Sequence, residues 1–209
     1  MGGSIVRSFR FGLWLAVFIV VAAVAGVVGS RYWPTHKQPT VQAVTESVIK
    51  AEFSLIDHTG RAVTSKDFRG RWLLVFYGFT NCPDVCPTAL NTVAAVIEAL
   101  GPDADKVAPI FITVDPARDT AEVMAGYVAA FDPRIIGLTG TEEQVAAALK
   151  TARVYYAKVN QSAAPGGYTM DHSSYLYLFD PKGMFDKPFS HETSIETITA
   201  TIRQRIGGR

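Results

Sequence analysis

Two cysteines occur among the 209 residues, in Asn81-Cys82-Pro83-Asp84-Val85-Cys86-Pro87. They follow the apolar run Trp72 to Phe79, which reads as a buried strand. They precede Leu90, Val93, Ile97 and Leu100, which recur at helical spacing. The thiols therefore stand where a strand hands over to a helix. Free backbone N–H groups and the positive helix end favour negative sulfur there, so the position suits a nucleophilic or metal-binding thiolate. At i and i+4 the two share one face if the segment coils. Pro83 and Pro87 resist a regular helix through the motif, so a tight turn entering the helix is expected. Either arrangement can bring the sulfurs to one metal or into one disulfide. As a stability device the disulfide would be poor, because so short a loop removes little unfolded-chain entropy.

A third ligand has four histidine candidates. His36 falls in a polar stretch, His58 at a turn tip and His191 just before a helix, positions expected of solvated surface residues. His172 lies in Tyr168-Thr169-Met170-Asp171-His172-Ser173-Ser174, at the mouth of the strand Tyr175 to Phe179. It is either a ligand or a histidine that packs the loop. Two thiolates and one imidazole make a soft, low-coordinate set able to hold Cu(I) and Cu(II); zinc is the competing metal. An open side suits transfer of an ion rather than storage.

These residues need a scaffold. Residues 46–209 carry enough apolar periodicity for one domain. Phe53 to Ile56 and Ala62-Val63 flank Asp57-His58-Thr59-Gly60, a hairpin signal. A strand at 72–79, a helix at about 88–100 and a strand at 109–114 follow. Asp119 and Glu122 read as a capping pair for a helix carrying Val123, Met124, Tyr127, Val128 and Phe131. A short strand at 135–138 and a helix capped by Thr141 and Gln144 come next. Tyr155 to Val159 looks extended and 162–167 looks like a loop. The strand Tyr175 to Phe179 turns at Asp180-Pro181-Lys182-Gly183 into an antiparallel partner, and Ser194 opens a last helix. Strand–helix repeats, then hairpin and helix, predict an α/β fold with a mixed sheet flanked by helices, thioredoxin-like in its succession.

In front of this domain, Phe11 to Ser30 carry no charge. Twenty helical residues span about 30 Å, a bilayer core. Arg7 and Arg10 precede the run; Arg31, Tyr32 and Trp33 follow it. The expected order is a cytoplasmic N-terminus at 1–10, a transmembrane anchor at 11–30 and a linker at 31–45, with the domain outside. Cleavage as a signal peptide near Ala23-Val24-Ala25 is the competing expectation. The first forty residues hold four basic side chains and no acidic one, leaving the domain at a formal charge of about −3. That balance gives no nucleic-acid signature.

The run Gly78-Phe79-Thr80-Asn81-Cys82-Pro83-Asp84-Val85-Cys86-Pro87 resembles the signature of the Sco/SenC proteins. Phe111 to Thr120, Gly137 to Thr141, and Asp171-His172-Ser173 with Tyr175 to Leu178 agree in the same order. The resemblance covers about residue 53 to the end, plus the anchor. It implies a membrane-anchored copper chaperone that assists assembly of the dinuclear CuA centre in subunit II of cytochrome c oxidase. It also implies copper ligands at Cys82, Cys86 and His172, and an acidic residue near the site at Asp115, which is otherwise a turn residue before Pro116. Asn81 stands where many members carry His, and Val48 to Glu52 lack glycines often found there.

Two functions of different class follow. One is copper delivery, which needs reduced thiols, an upstream copper donor and a thiol reductant. The other is thiol–disulfide exchange by Cys82 and Cys86 on an acceptor's copper-site cysteines, which does not require His172. Three residues between the cysteines, rather than two, argue against general thioredoxin activity. Thiol peroxidase activity lacks a basic residue beside Cys82. The front end, without an Arg- and Ser-rich presequence, suggests a bacterial cytoplasmic membrane with a periplasmic domain; the mitochondrial inner membrane is the alternative.

Overall fold

The computed structural model describes residues 19–27, 48–190 and 192–208. The chain divides into two units, Met1–Glu46 and Ser47–Arg209. In the first, residues 19–27 are helical, with Ile19, Val20, Val21 and Val24 exposed. The expected N-terminus at 1–10, the linker at 31–45, the rest of the anchor, His36 and His191 lie outside the described residues.

In the second unit, β3 (Trp72–Gly78) and β4 (Val107–Thr113) pair in parallel at the centre, buried along their whole length. Strands covered on both faces read as continuous apolar runs, as these do. β5 (Ile136–Thr139) adds in parallel to β4. β1 (Ser54–Asp57), β2 (Ala62–Thr64), β8 (Leu176–Phe179) and β9 (Phe185–Phe189) complete a mixed sheet by antiparallel pairing, in the order β2-β1-β5-β4-β3-β8-β9. Gly60 takes the expected left-handed conformation in the β1–β2 turn, at φ 86°.

Helices flank the sheet: α1 (Val85–Leu100), α2 (Ala121–Ala129), α3 (Glu142–Ala152) and α4 (Ile195–Gly207). α1 packs on α4, α2 on β5 and α3 on β1. By length and hydropathy Val85–Lys106 could cross a bilayer, but Leu90, Val93, Val96, Ile97 and Leu100 are buried in the domain core. It is the core helix of the domain.

Three local expectations shift. α1 starts at Val85 rather than near 88, because Pro87 falls in the first turn, where no N–H partner is needed. The cap of α2 is Thr120, whose Oγ1 accepts from the Val123 N–H at 3.3 Å. Asp119 is not the cap, because its carboxylate turns inward to Thr80 and Thr113. The segment before the Tyr175 strand is itself extended: β7 (Tyr168–His172) pairs antiparallel with β6 (Tyr156–Asn160). The caps Thr141 and Ser194 are as expected.

Candidate metal centre

β3 delivers the site. Side chains alternate along it, so Phe76 and Gly78 share one face. Cys86 lies over that face, fully buried in the first turn of α1. Gly78 leaves it room: a Cβ there would stand 2.7 Å from Cys86 Sγ and 2.9 Å from the Phe76 ring. Any larger residue would push the sulfur away.

Cys82 is half-buried in the turn between β3 and α1. The Asp84 side chain makes no capping hydrogen bond to α1. A sulfur does instead: the Cys86 N–H donates to Cys82 Sγ at 3.4 Å. An anionic acceptor at a helix N-terminus is favoured by the unpaired N–H groups and the helix dipole. The Cys82 pKa is accordingly lowered to about 4, chiefly by a hydrogen bond from the Cys86 thiol and, against burial, by the His172 ring and then the N–H groups of Cys86 and Asp84. Cys86 moves the other way, because it supplies that hydrogen bond and is buried. Neither cysteine is in a disulfide, and near neutral pH the proton of the reduced pair is held on Cys86.

His172 closes the group from β7. Its Nε2 lies 3.7 Å from Cys86 Sγ, and its Nδ1 lies 3.1 Å from the Ser173 carbonyl. A carbonyl only accepts, so the hydrogen-bond network assigns a ring proton to Nδ1 and leaves Nε2 as the nitrogen that faces the thiols. Metal-ligating histidines are held in this way. The rings of Phe76 and Phe79 meet the imidazole edge-on, with centroids 6.1 and 5.8 Å away, and confine it. Among the described residues no group of three or more His, Cys, Asp and Glu side chains is set as a ready metal cage. The trio is a one-sided set at hydrogen-bond spacing.

The other candidates lie apart. His58 is not a free surface residue: its Nδ1 accepts from the Gly137 N–H at 3.1 Å, tying the hairpin turn to β5. Asp115 is 4% exposed and engaged by Arg118 and by the Tyr168 hydroxyl, so it is no surface charge. Sequence reasoning missed the inward role of Asp119. Its carboxylate accepts the Thr80 N–H and hydroxyl at 3.0 and 2.6 Å and the Thr113 hydroxyl at 2.6 Å. It thereby pins the cysteine turn to the end of β4. Burial raises its pKa even against these three donors. The spacing from Asp119 to Glu122 imitates a cap; only Thr80, far off in sequence, hinted otherwise.

Known proteins match this chain in sequence and in fold. A family model described as SCO1/SenC covers residues 41–207. "Protein SCO2 homolog, mitochondrial" of Bos taurus is 42% identical over 82% of this chain, which spans 65% of that relative's length. "SCO2-like protein RP587" of Rickettsia prowazekii is 38% identical over 87% of this chain and 92% of its own. The structure of Bradyrhizobium japonicum ScoI with copper bound superposes with a TM-score of 0.70 at 44% identity, over 75% of this chain and 98% of that one.

Proposed function

Since the chain belongs to the SCO1/SenC family, we propose that it carries copper for the assembly of cytochrome c oxidase. Cys82, Cys86 and His172 are the ligands and the CuA centre of subunit II is the destination. What carries the reading is the 3.7 Å approach of His172 Nε2 to Cys86 Sγ, beside a second sulfur. An ion held at about 2.3 Å from sulfur and about 2.0 Å from nitrogen spans such a gap at a trigonal angle. Soft sulfur favours Cu(I), and the imidazole accommodates Cu(II) as well. The copper-bound ScoI relative supports the choice of metal.

Copper here is cargo. Cys82 offers a thiolate without needing a base, and Cys86 must give up its proton as the ion enters. The half-exposed Cys82 is the entry and exit side. An acceptor thiolate can attack there while Cys86 and His172 still hold the ion. An upstream donor and a thiol reductant complete the cycle, because a disulfide presents no thiolate. The exposed apolar helix at 19–27 supports a membrane anchor over 11–30, with the domain on the outer face of a bacterial cytoplasmic membrane or in the mitochondrial counterpart.

One observation favours a second reading. The opposed acidities of the two thiols fit a nucleophilic Cys82 resolved by Cys86, and so a thiol–disulfide reductase acting on the acceptor's cysteines. One titration separates the two. The reduced full chain should retain one copper per molecule and His172→Ala should lose it. If His172→Ala binds copper as the parent does while its Cys82–Cys86 pair reduces the acceptor, the reductase reading stands instead.

A further inference from the structure

The strand that brings His172 to the thiols is not part of the main sheet. Among the described residues β6 and β7 pair only with each other. His172 closes β7 at one end and Tyr168 opens it at the other. Between hairpin and body lies a cavity of about 210 Å³, lined by Tyr156, Lys158 and Met170 on one side and by Pro116 and Val145 on the other. Among the described residues no ladder joins the hairpin to the main sheet; Met170 packs against the core, and beside it the cavity leaves this face of the hairpin incompletely filled.

The Tyr168 end is gripped. Arg118 lies in the loop between β4 and α2, with its guanidinium 3.9 Å from the centroid of the Tyr168 ring. Its Nη1 donates to the carbonyls of Pro165 and Tyr168 at 3.0 and 3.2 Å. Its Nε donates to the Asp115 carboxylate, which also accepts the Tyr168 hydroxyl at 3.0 Å. The Lys158 ammonium stands 3.7 Å from the same ring. In this geometry arginine stacks and forks at once, which lysine cannot do. One residue further on, Asp119 holds the cysteine turn through Thr80. A single short loop thus grips both halves of the site, the thiols by Asp119 and the histidine strand by Arg118.

We infer that Arg118 is a positioning residue: its clasp on Tyr168 and the hairpin carbonyls sets the distance from His172 to the two sulfurs, and so sets how tightly copper is retained. The inference rests on the metal reading above. Arg118 touches none of the three ligands, so its effect passes through the hairpin and through Phe79, whose ring lies 5.8 Å from the guanidinium and meets the imidazole edge-on.

The test is Arg118→Lys in the full chain, which keeps a cation beside Asp115 but gives up the stack and the fork. Two readouts are needed. Imidazole ¹H–¹⁵N spectra of the reduced protein before copper is added report the setting of His172. Competition with a chromogenic Cu(I) chelator reports affinity. The His172 signals should shift or broaden, and affinity should fall by about tenfold, the scale on which supporting shells act. The alkylation profile of Cys82 should not change. Parent-like imidazole signals, or parent-like affinity, would overturn the inference. Should Arg118→Lys not fold, Tyr168→Leu must produce both changes. A parent chain that retains no copper would sink the metal reading itself, and the imidazole spectra would still judge the clasp.

Discussion

The chemistry of Cys82 is decided by what its sulfur can accept. A Cys86 thiol, the His172 ring and two N–H groups of the helix start converge on it, and together they outweigh its partial burial. Reaction with iodoacetamide therefore should continue with little loss from pH 7 down to pH 5, then fall as the pH passes about 4. In urea both cysteines should react only toward the ordinary thiol range near about 8.5. Intact mass against pH reads the single modification, and a folded-state midpoint near the ordinary value would overturn the assignment. Linkage gives the sign for stability. A lowered folded pKa at Cys82 contributes stability that is full above the unfolded thiol pKa and fades as pH falls through the folded one. Cys86, raised, acts oppositely, so its contribution fades as pH rises past the ordinary thiol range. The reduced pair thus contributes most near that range. The two cysteines and their place at a strand–helix junction were legible in the sequence, since both motif and periodicity are local. The division of labour between them was not, because it arises from a sulfur capping a helix whose start lay three residues earlier than the pattern suggested.

Elements are placed by contacts that cross long stretches of chain, and those are what the sequence concealed. The buried strands and the caps Thr141 and Ser194 declare themselves through apolar runs and short-range spacing. β7 does not. Its burial is partial and its ladder partner is β6 alone, so alternation is weak and the segment reads as loop. Asp119 was hidden for the same reason, since its partners lie in the cysteine turn and at the end of β4. Its side chain is fully buried. Asp119→Ala leaves the Thr80 N–H and two hydroxyls without their acceptor, at about 1–3 kcal/mol for each donor left unsatisfied. A total loss of about 3 kcal/mol or more is expected, read as a lower urea midpoint with an unchanged slope. Asp119→Asn should be far milder. Burial already works against the charge, and an amide still accepts from the Thr80 N–H. Equal losses in the two variants would show that the charge, not the acceptor, holds the turn.

At the scale of the whole molecule, the proposed copper site would link cargo to stability, because only the folded chain would bring residues from β3's end, α1 and β7 to one ion. An unfolded chain offers the same side chains with Cys86 and His172 separated by 86 positions, and the entropy of closing that loop falls on the metal. A ligand that binds the native state alone at a free concentration of 1,000 times its Kd adds about 4.1 kcal/mol. For a domain of this size each kcal/mol moves the melting temperature by about 2–4 °C. Cu(I) added to the reduced full chain should therefore raise Tm by roughly 8–16 °C at that excess. The rise should grow with the logarithm of free copper and vanish when a strong chelator removes it. His172→Ala should lose most of it, because two thiolates four residues apart can be met almost as well by the unfolded chain. The oxidised chain should show none, since a Cys82–Cys86 disulfide leaves no thiolate to bind. A rise of the same size in His172→Ala would mean that the cysteine turn binds copper by itself. The fold would then serve only to present that turn, and β7 would have no part in holding the ion.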